Sequence, residues 1–479
     1  MDALRIQTKF CIVSPEQVLH PAQLVIRHGR VVEVVEGRPH KPDVELGETV
    51  LMAGLVNPHT HLEFSDLQEP FPAGANFPAW ISQVVRYRAE QQAQEVSRVP
   101  SDKQQCRPHD ARYRSELTES STEAVDQQSN LQRALMSGLQ EAFLTGTTLL
   151  GDIVSSPWMP SDYPSASRFA EEAMRRFSCR VAISSSKITR DVWREHLQPL
   201  MIPRVLPFTE LIGMTAERSA ESLQWSRAAQ GISPSELQID SGLSPHAPYS
   251  LHFPTINAAI GQLPTSTRVA MHVAESREEL QWCESQTGPF RHAFERLGLT
   301  TADSPPSIMQ CVELLARFEH ALLIHGNYLN RKQIERIATG RNIAVVYCPR
   351  THRHFGHAPY PLEMFRAAGV RVLLGTDSRA SNPTLSLWDE VAFAAKLHPQ
   401  RTPAQWLESV TLGPARAMGV SADFGSLQVG RWASAVALPA RKDWNVDNLL
   451  EALCSENEQE LAMRPLSAML FEFALLVLK

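Results

Sequence analysis

The chain opens with short apolar runs of strand length, broken by turn residues. Leu24-Val25-Ile26 is followed by His28-Gly29, and Arg30-Val31-Val32-Glu33-Val34-Val35 by Gly37. Runs rich in Val and Ile and punctuated by Gly predict β-strands, so residues 1–53 read as a small β unit. From Gly54 onward the texture changes. Strand-like apolar runs at 147–153, 240–249, 268–273, 321–326, 343–349 and 371–377 alternate with stretches of helical periodicity. Such alternation predicts parallel strands joined by crossover helices, and eight units of this kind close on themselves. Segments 180–184 and 204–211 compete for one strand; 204–211, ending near Glu210, is the better choice.

Two stretches interrupt the pattern. Residues 91–128 are dominated by Gln, Ser, Glu, Arg and Asp and hold almost no large apolar side chain. Such a segment buries too little surface to offset its ordering entropy, and reads as a mobile insertion. Residues 156–203 are long for a single barrel connection and predict an extra helix around 169–177. After Gly425, Gly-Ser-Leu-Gln-Val-Gly-Arg-Trp-Ala returns to short β signals, as expected if the end of the chain completes the N-terminal β unit, and residues 447–479 are mainly helix-like. The implied division is 1–53, 54–424 and 425–479.

Bulk properties narrow the function. Of 479 residues, 43% are hydrophobic and 20% charged, which suits a globular protein of more than one domain. The net charge of −6 offers no basic excess to neutralise phosphates, so a nucleic-acid partner is disfavoured and a small molecule is the expected one. Seven cysteines form no C-x-x-C pair, against both a disulfide framework and a thiolate zinc site. Residues 1–20 lack the features of a secretory signal, and the apolar run 466–478 is interrupted by Glu472 and short for a bilayer. A cytoplasmic protein with no membrane partner is the expectation.

The chemistry sits at the ends of the apolar runs. In Leu55-Val56-Asn57-Pro58-His59-Thr60-His61-Leu62-Glu63 the two imidazoles lie two residues apart, on the same face of a strand. Further stations are His246 in Ser-Pro-His-Ala-Pro-Tyr, His272 and Glu275 in Met-His-Val-Ala-Glu, His325 in Leu-Ile-His-Gly-Asn and Asp377 in Leu-Gly-Thr-Asp-Ser. Convergence of several strand ends on one point is the geometry of a barrel mouth. His59, His61, His272 and Asp377 form the best ligand set for one divalent ion, which would lower the pKa of bound water to about 7. Each station also has a plainer reading. Asp377 can cap a helix, Glu275 can be a first-turn glutamate, His325 a buried structural histidine and His246 a turn residue. The run Cys348-Pro349-Arg350-Thr351-His352-Arg353-His354 offers cations, Arg350 among them, to a polar or anionic substrate group, or to solvent.

Together these residues resemble the amidohydrolase superfamily, and within it the cytosine-deaminase-like branch of aminohydrolases. The similarity runs from Met52-Ala53-Gly54-Leu55-Val56-Asn57-Pro58-His59-Thr60-His61 to Gly425-Ser426-Leu427-Gln428-Val429-Gly430. It implies a (β/α)8 TIM barrel with a small β-sandwich from both chain ends, and one divalent ion, zinc ahead of iron. It further implies His59, His61, His272 and Asp377 as ligands, Glu275 as proton shuttle, His325 as the residue polarising the water, and His246 as a substrate contact. Arg350, Ser381 and Asn382 are the remaining candidate substrate contacts. The stretch from Tyr347 through Thr376-Asp377-Ser378-Arg379-Ala380-Ser381-Asn382-Pro383 is most similar to the aminofutalosine-deaminase-like members. The implied reaction is hydrolytic deamination of an aminated purine-type or other N-heterocycle. The alternatives are a chlorohydrolase or cyclic amide hydrolase, and a non-catalytic binding barrel; a homodimer is left open. One departure stands out: Arg431-Trp432-Ala433-Ser434-Ala435 lacks an acid common in the family, and no obvious final strand pair follows Pro439, so an abbreviated or abnormal sandwich is expected.

Overall fold

The computed structural model describes residues 3–98, 129–176, 185–186, 190–232, 234–296, 298, 305–456, 461 and 463–470. Eight parallel strands form its centre: β1 (Leu55–Thr60), β2 (Thr147–Val154), β3 (Arg204–Leu211), β4 (Gly242–Pro245), β5 (Arg268–Val273), β6 (His320–His325), β7 (Ile343–Tyr347) and β8 (Arg371–Leu374). Each pairs with the next in chain order. The chain beyond β8 returns to β1, where Asp377 N donates to His59 O at 3.2 Å and Thr60 bridges Asp377 in parallel. The ring is therefore closed, as a TIM barrel is.

Period-two alternation explains why the strands are apolar almost throughout. Val56, Leu149, Ile153, Leu206, Phe208, Ala270, Leu322, Ile324, Ala344, Val346 and Leu373 share one buried cluster. Their neighbours Val269, Met271, Leu323, Val345, Tyr347 and Val372 belong to another, with helix residues such as Phe365, Trp388 and Trp406. A strand buried on both faces needs a continuous apolar run rather than an alternating one. Charged and polar side chains are left for the strand ends, which is where the chemistry collects.

Both chain ends build two five-stranded sheets. Thr49–Ala53 pairs antiparallel with Ala435–Pro439, in a register that sets Ala53 opposite Ala435 and Thr49 opposite Pro439. Arg464–Pro465 then pairs with Val436 and Ala437, so the tail does add a final short strand, against the expectation of an abbreviated sandwich. Ser185–Ser186, inside the long connection after β2, extends the other sheet.

Several predicted boundaries shift. The helix Phe77–Arg98 runs into the polar stretch expected to begin at 91, because its N-terminal half carries apolar anchors; residues 99–128 lie outside the described residues. The extra helix falls at Ala166–Arg176, and 204–211 is the third strand, while 180–184 lie outside the described residues. Pro349 opens a short helix, Pro349–His354, and ends the seventh strand two residues early. The tail contains the helix Leu449–Ser455, and 471–479 lie outside the described residues. Among the described residues no helix is long and apolar enough to cross a membrane.

Candidate active site

Every station of the sequence lies at the same end of the barrel. His59 is in β1 and His61 just after it, with ring centroids 5.0 Å apart; His272 in β5 lies 4.9 Å from His59 and 5.4 Å from His61. His325 ends β6, with its ring 5.5 Å from that of His272. Three residues here take left-handed backbone without being glycine: Ala274, His325 and Asp377, at φ +55°, +68° and +57°. Such conformations cost about 1–3 kcal/mol each and persist where surrounding bonds enforce them. Tyr360 Oη donates to His325 O at 3.0 Å, Thr60 Oγ1 to Asp377 O at 3.0 Å, and Ser381 Oγ to Asp377 Oδ2 at 2.8 Å. Gly375 matters for the same reason: a Cβ there would press on His59 at 3.2 Å and Val346 at 2.8 Å.

The histidines suit a metal ion. Ligand atoms of His59, His61 and His272 all fall within 4.8 Å of one another, and His61 Nε2 is 3.3 Å from His272 Nε2. His272 Nδ1 faces His246 O at 3.1 Å, so Nδ1 carries the proton and Nε2 presents its lone pair to the cluster. Asp377 Oδ1 lies 3.5 Å from His59 Nε2 and 3.8 Å from His61 Nε2. Neither nitrogen of His59 has a hydrogen-bond partner among the described residues, nor does His61 Nδ1. Buried imidazoles without partners are expensive, and a shared cation is what this donor set fits. Burial pushes His61 down to about 3, with the charge of His59 adding to it, and holds His272 well below its ordinary value. Neutral imidazole is the ligating form.

Around the cluster the titrating groups split. Burial raises Glu275 well above the usual carboxylate range, and the charges of Asp377 and Glu279 raise it further, which favours its protonated form. Asp377 goes the other way: burial alone would raise it, but the close approach and charge of His59, then His325 and His61, outweigh burial. Glu275 Oε1 is 3.4 Å from His325 Nε2, and burial lowers His325 to about 3. Glu279 clamps this turn by accepting from Ala274 N at 2.7 Å and Glu275 N at 2.8 Å. Phe77, Tyr249 and Phe290 form an aromatic wall nearby, with Trp80 and Phe355 against it.

Not every candidate faces the cluster. Arg350 is committed to the fold: Nε reaches Glu390 at 2.6 Å, Nη1 the Thr384 hydroxyl at 2.9 Å and Nη2 the Thr384 carbonyl at 3.0 Å. Asn382 Nδ2 donates to Thr376 O at 2.7 Å and Glu390 Oε1 at 2.6 Å. Both are withdrawn as substrate contacts, because their hydrogen-bonding capacity is spent on holding the Asp377 loop. Ser381 serves Asp377 itself. His246 stands beside the cluster, its ring 5.1 Å from that of His272. Two groups escaped the sequence reading. Glu210, at the end of β3, lies 3.7 Å from His246 Nε2, and Arg88, on the helix Phe77–Arg98, lies 3.4 Å from Glu210. Glu210 carried the same signal as the other stations, an acid closing an apolar run; Arg88 carried none.

A TIM barrel with a buried three-histidine, one-aspartate cluster at its mouth defines the class: a metal-dependent hydrolase. The Amidohydrolase family profile matches residues 50–456, and the chain belongs to that family. It is an enzyme that hydrolyses carbon–nitrogen bonds other than peptide bonds. The chain is 23% identical over 439 residues to the aminodeoxyfutalosine deaminase of a Nitratiruptor species, covering 89% of each chain. Among solved structures, Helicobacter pylori aminofutalosine deaminase in complex with methylthio-coformycin superposes with a TM-score of 0.65 at 19% identity, over 95% of this chain and 96% of that one. A Xanthomonas campestris adenosine deaminase with bound zinc gives 0.61 at 19% identity, over 96% and 90%.

Proposed function

We propose that the protein is a hydrolytic deaminase of an amino-substituted, nucleoside-like N-heterocycle and releases ammonia. The observation that carries this reading is the opposite displacement of two carboxyl groups, Glu275 raised and Asp377 lowered, in one small polar cluster. Deamination needs both: a carboxyl that gives a proton and a carboxylate that takes one. An ion held by His59, His61, His272 and Asp377 would supply a water activated at neutral pH. Asp377 accepts the proton of the attacking water as its oxygen bonds to the ring carbon that bears the amine. Glu275 gives its proton to the adjacent ring nitrogen. His325 polarises the water and stabilises the charge that develops. Asp377 then hands the proton it took to the amine, the carbon–nitrogen bond breaks to release ammonia, and the hydroxyl proton of the addition product returns to Glu275 as the carbonyl forms. The aromatic cluster of Phe77, Tyr249 and Phe290, which meets the site where Tyr249 stands beside His246, offers apolar contact for the ring.

The names of the relatives favour aminodeoxyfutalosine and adenosine-type compounds as first substrates to try. Zinc is our choice over iron, supported by a nitrogen and oxygen donor set and by the zinc in the Xanthomonas campestris enzyme. The lack of any C-x-x-C pair suits work among reduced thiols in the cytoplasm. The test is ammonia and chloride release by metal-loaded protein across aminopurine nucleosides, pterins and chlorotriazines, with metal content measured on the same sample. Ammonia from a nucleoside with one ion per chain is the expected result. Chloride without ammonia, or no turnover at all, overturns the reading.

A further inference from the structure

Glu210 is 3% exposed, and its two oxygens have unequal surroundings. Oε2 accepts a hydrogen bond from the Ser155 hydroxyl and lies 3.4 Å from Arg88 Nη2. The same guanidinium is gripped by Glu63, through Nε at 3.1 Å and Nη2 at 2.7 Å. Oε1, by contrast, has no hydrogen-bond partner and faces His246 Nε2 at 3.7 Å. His246 does not satisfy it. Its Nδ1 is 2.7 Å from Ser250 Oγ, and the single proton of that hydroxyl goes to Ala247 O at 3.0 Å. Ser250 therefore accepts from Nδ1–H, which leaves Nε2 of the neutral ring as an acceptor. Two acceptors thus point at each other beside the histidine cluster.

A buried acceptor left unpaired costs about 1–3 kcal/mol, and one N–H or O–H group between these two would complete both. The local charge decides which donor. One guanidinium sits against two carboxylates, Glu63 and Glu210, so the surroundings of Oε1 carry net negative charge and repel an anionic group. Arg88, Glu63 and Ser155, the partners on the Oε2 side, also line a cavity of about 70 Å³ with Gln91, Asn130 and Trp158.

We propose that Glu210 is a specificity-determining residue, its Oε1 acting with His246 Nε2 to accept hydrogen bonds from an N–H or O–H donor on an uncharged part of the heterocyclic substrate. The donor comes from the ring or from an attached sugar. This rests on the deaminase reading above, and the probes are chosen to separate the two. Coformycin and 2′-deoxycoformycin are titrated calorimetrically into the metal-loaded wild type and Glu210→Gln. Because Ser155 donates to Oε2 and the Arg88 guanidinium lies 3.4 Å from it, glutamine there turns its carbonyl to them and its amide protons to His246, which replaces an acceptor by a donor. Glu210→Gln is expected to weaken coformycin by about 10- to 100-fold. A sugar donor at the 2′ position shows as discrimination between the two compounds in the wild type that the variant loses. A ring donor shows as an equal loss for both. Wild-type affinity of Glu210→Gln for both compounds overturns the proposal, as does failure of the wild type to bind either.

Should Glu210→Gln not fold, Ser155→Ala keeps Oε1 but removes the bond that aims it. A loss of about 3- to 10-fold in coformycin affinity supports the proposal and an unchanged value overturns it. Ammonia release is scored independently. A binding loss in Glu210→Gln with no ammonia from any nucleoside retires the deaminase reading and leaves the role of Glu210 standing.

Discussion

At the scale of single residues, the opposite displacement of two carboxyl groups is the main functional statement. Glu275 and Asp377 share one buried site, yet burial raises the first while neighbouring histidines hold down the second. On the proposed mechanism, Asp377→Ala removes both a ligand and the proton acceptor. Ammonia release is expected to fall by about 10²- to 10⁴-fold or more, and retained release in a coupled ammonia assay would refute the assignment. Glu275→Gln is expected to keep its metal content and lose a similar factor in kcat, since the amide has no acidic proton to give. The sign of the pH dependence follows. The active form of Glu275 is protonated, so wild-type kcat falls as pH rises through its raised pKa, and that alkaline limb must vanish in Glu275→Gln. His59, His61, His272 and Asp377 are legible in the sequence because rare, chemically committed residues close apolar runs there. Glu210 closes such a run too, but a lone acid at a strand end reads equally well as a boundary. Arg88 is illegible for a different reason: its approach to Glu210 depends on the tilt of a helix over the barrel mouth, which no local pattern encodes.

At the scale of elements, the site depends on turns that hold backbone in unfavourable conformations. Strand ranges were readable at β3 and β5, where expectation and structure coincide, but the expected 240–249 and 371–377 ran past the strand ends at Pro245 and Leu374. They were not readable where Pro349 turns the chain into a helix directly after β7, because the apolar text continues through Cys348. That short helix has a task of its own. Arg350 projects from it to Glu390, a fully buried acid on the helix Leu387–Leu397, and Glu390 in turn accepts from Asn382 in the loop that carries Asp377. Arg350→Leu therefore strands a buried carboxylate. A loss of about 3–5 kcal/mol is expected, read as a lower unfolding midpoint in denaturant, because removing one partner of a buried pair leaves the other charge uncompensated. A substrate-contact role would instead raise KM and leave stability unchanged. Measuring both separates the two roles of this arginine.

At the scale of the whole molecule, the proposed cation would tie together distant parts of the chain. Its four expected ligands come from β1, β5 and the turn after β8, the two ends of a barrel whose ring closes only where Asp377 meets His59 and Thr60. A bound ion therefore adds a link across the closing seam. An ion that binds the folded chain and not the unfolded one stabilises it by about 2.7 kcal/mol when its concentration is a hundred times Kd. Chelation is expected to abolish ammonia release and to lower the melting temperature in the same titration, and zinc should restore both. The size of the thermal effect should depend on the concentration of free ion, as mass action requires. In Asp377→Ala, which lacks one ligand at the seam, chelation should move the melting temperature far less than in the wild type. An equal shift in both proteins would mean that the ion binds elsewhere, and that the histidine cluster owes its neutrality to burial alone.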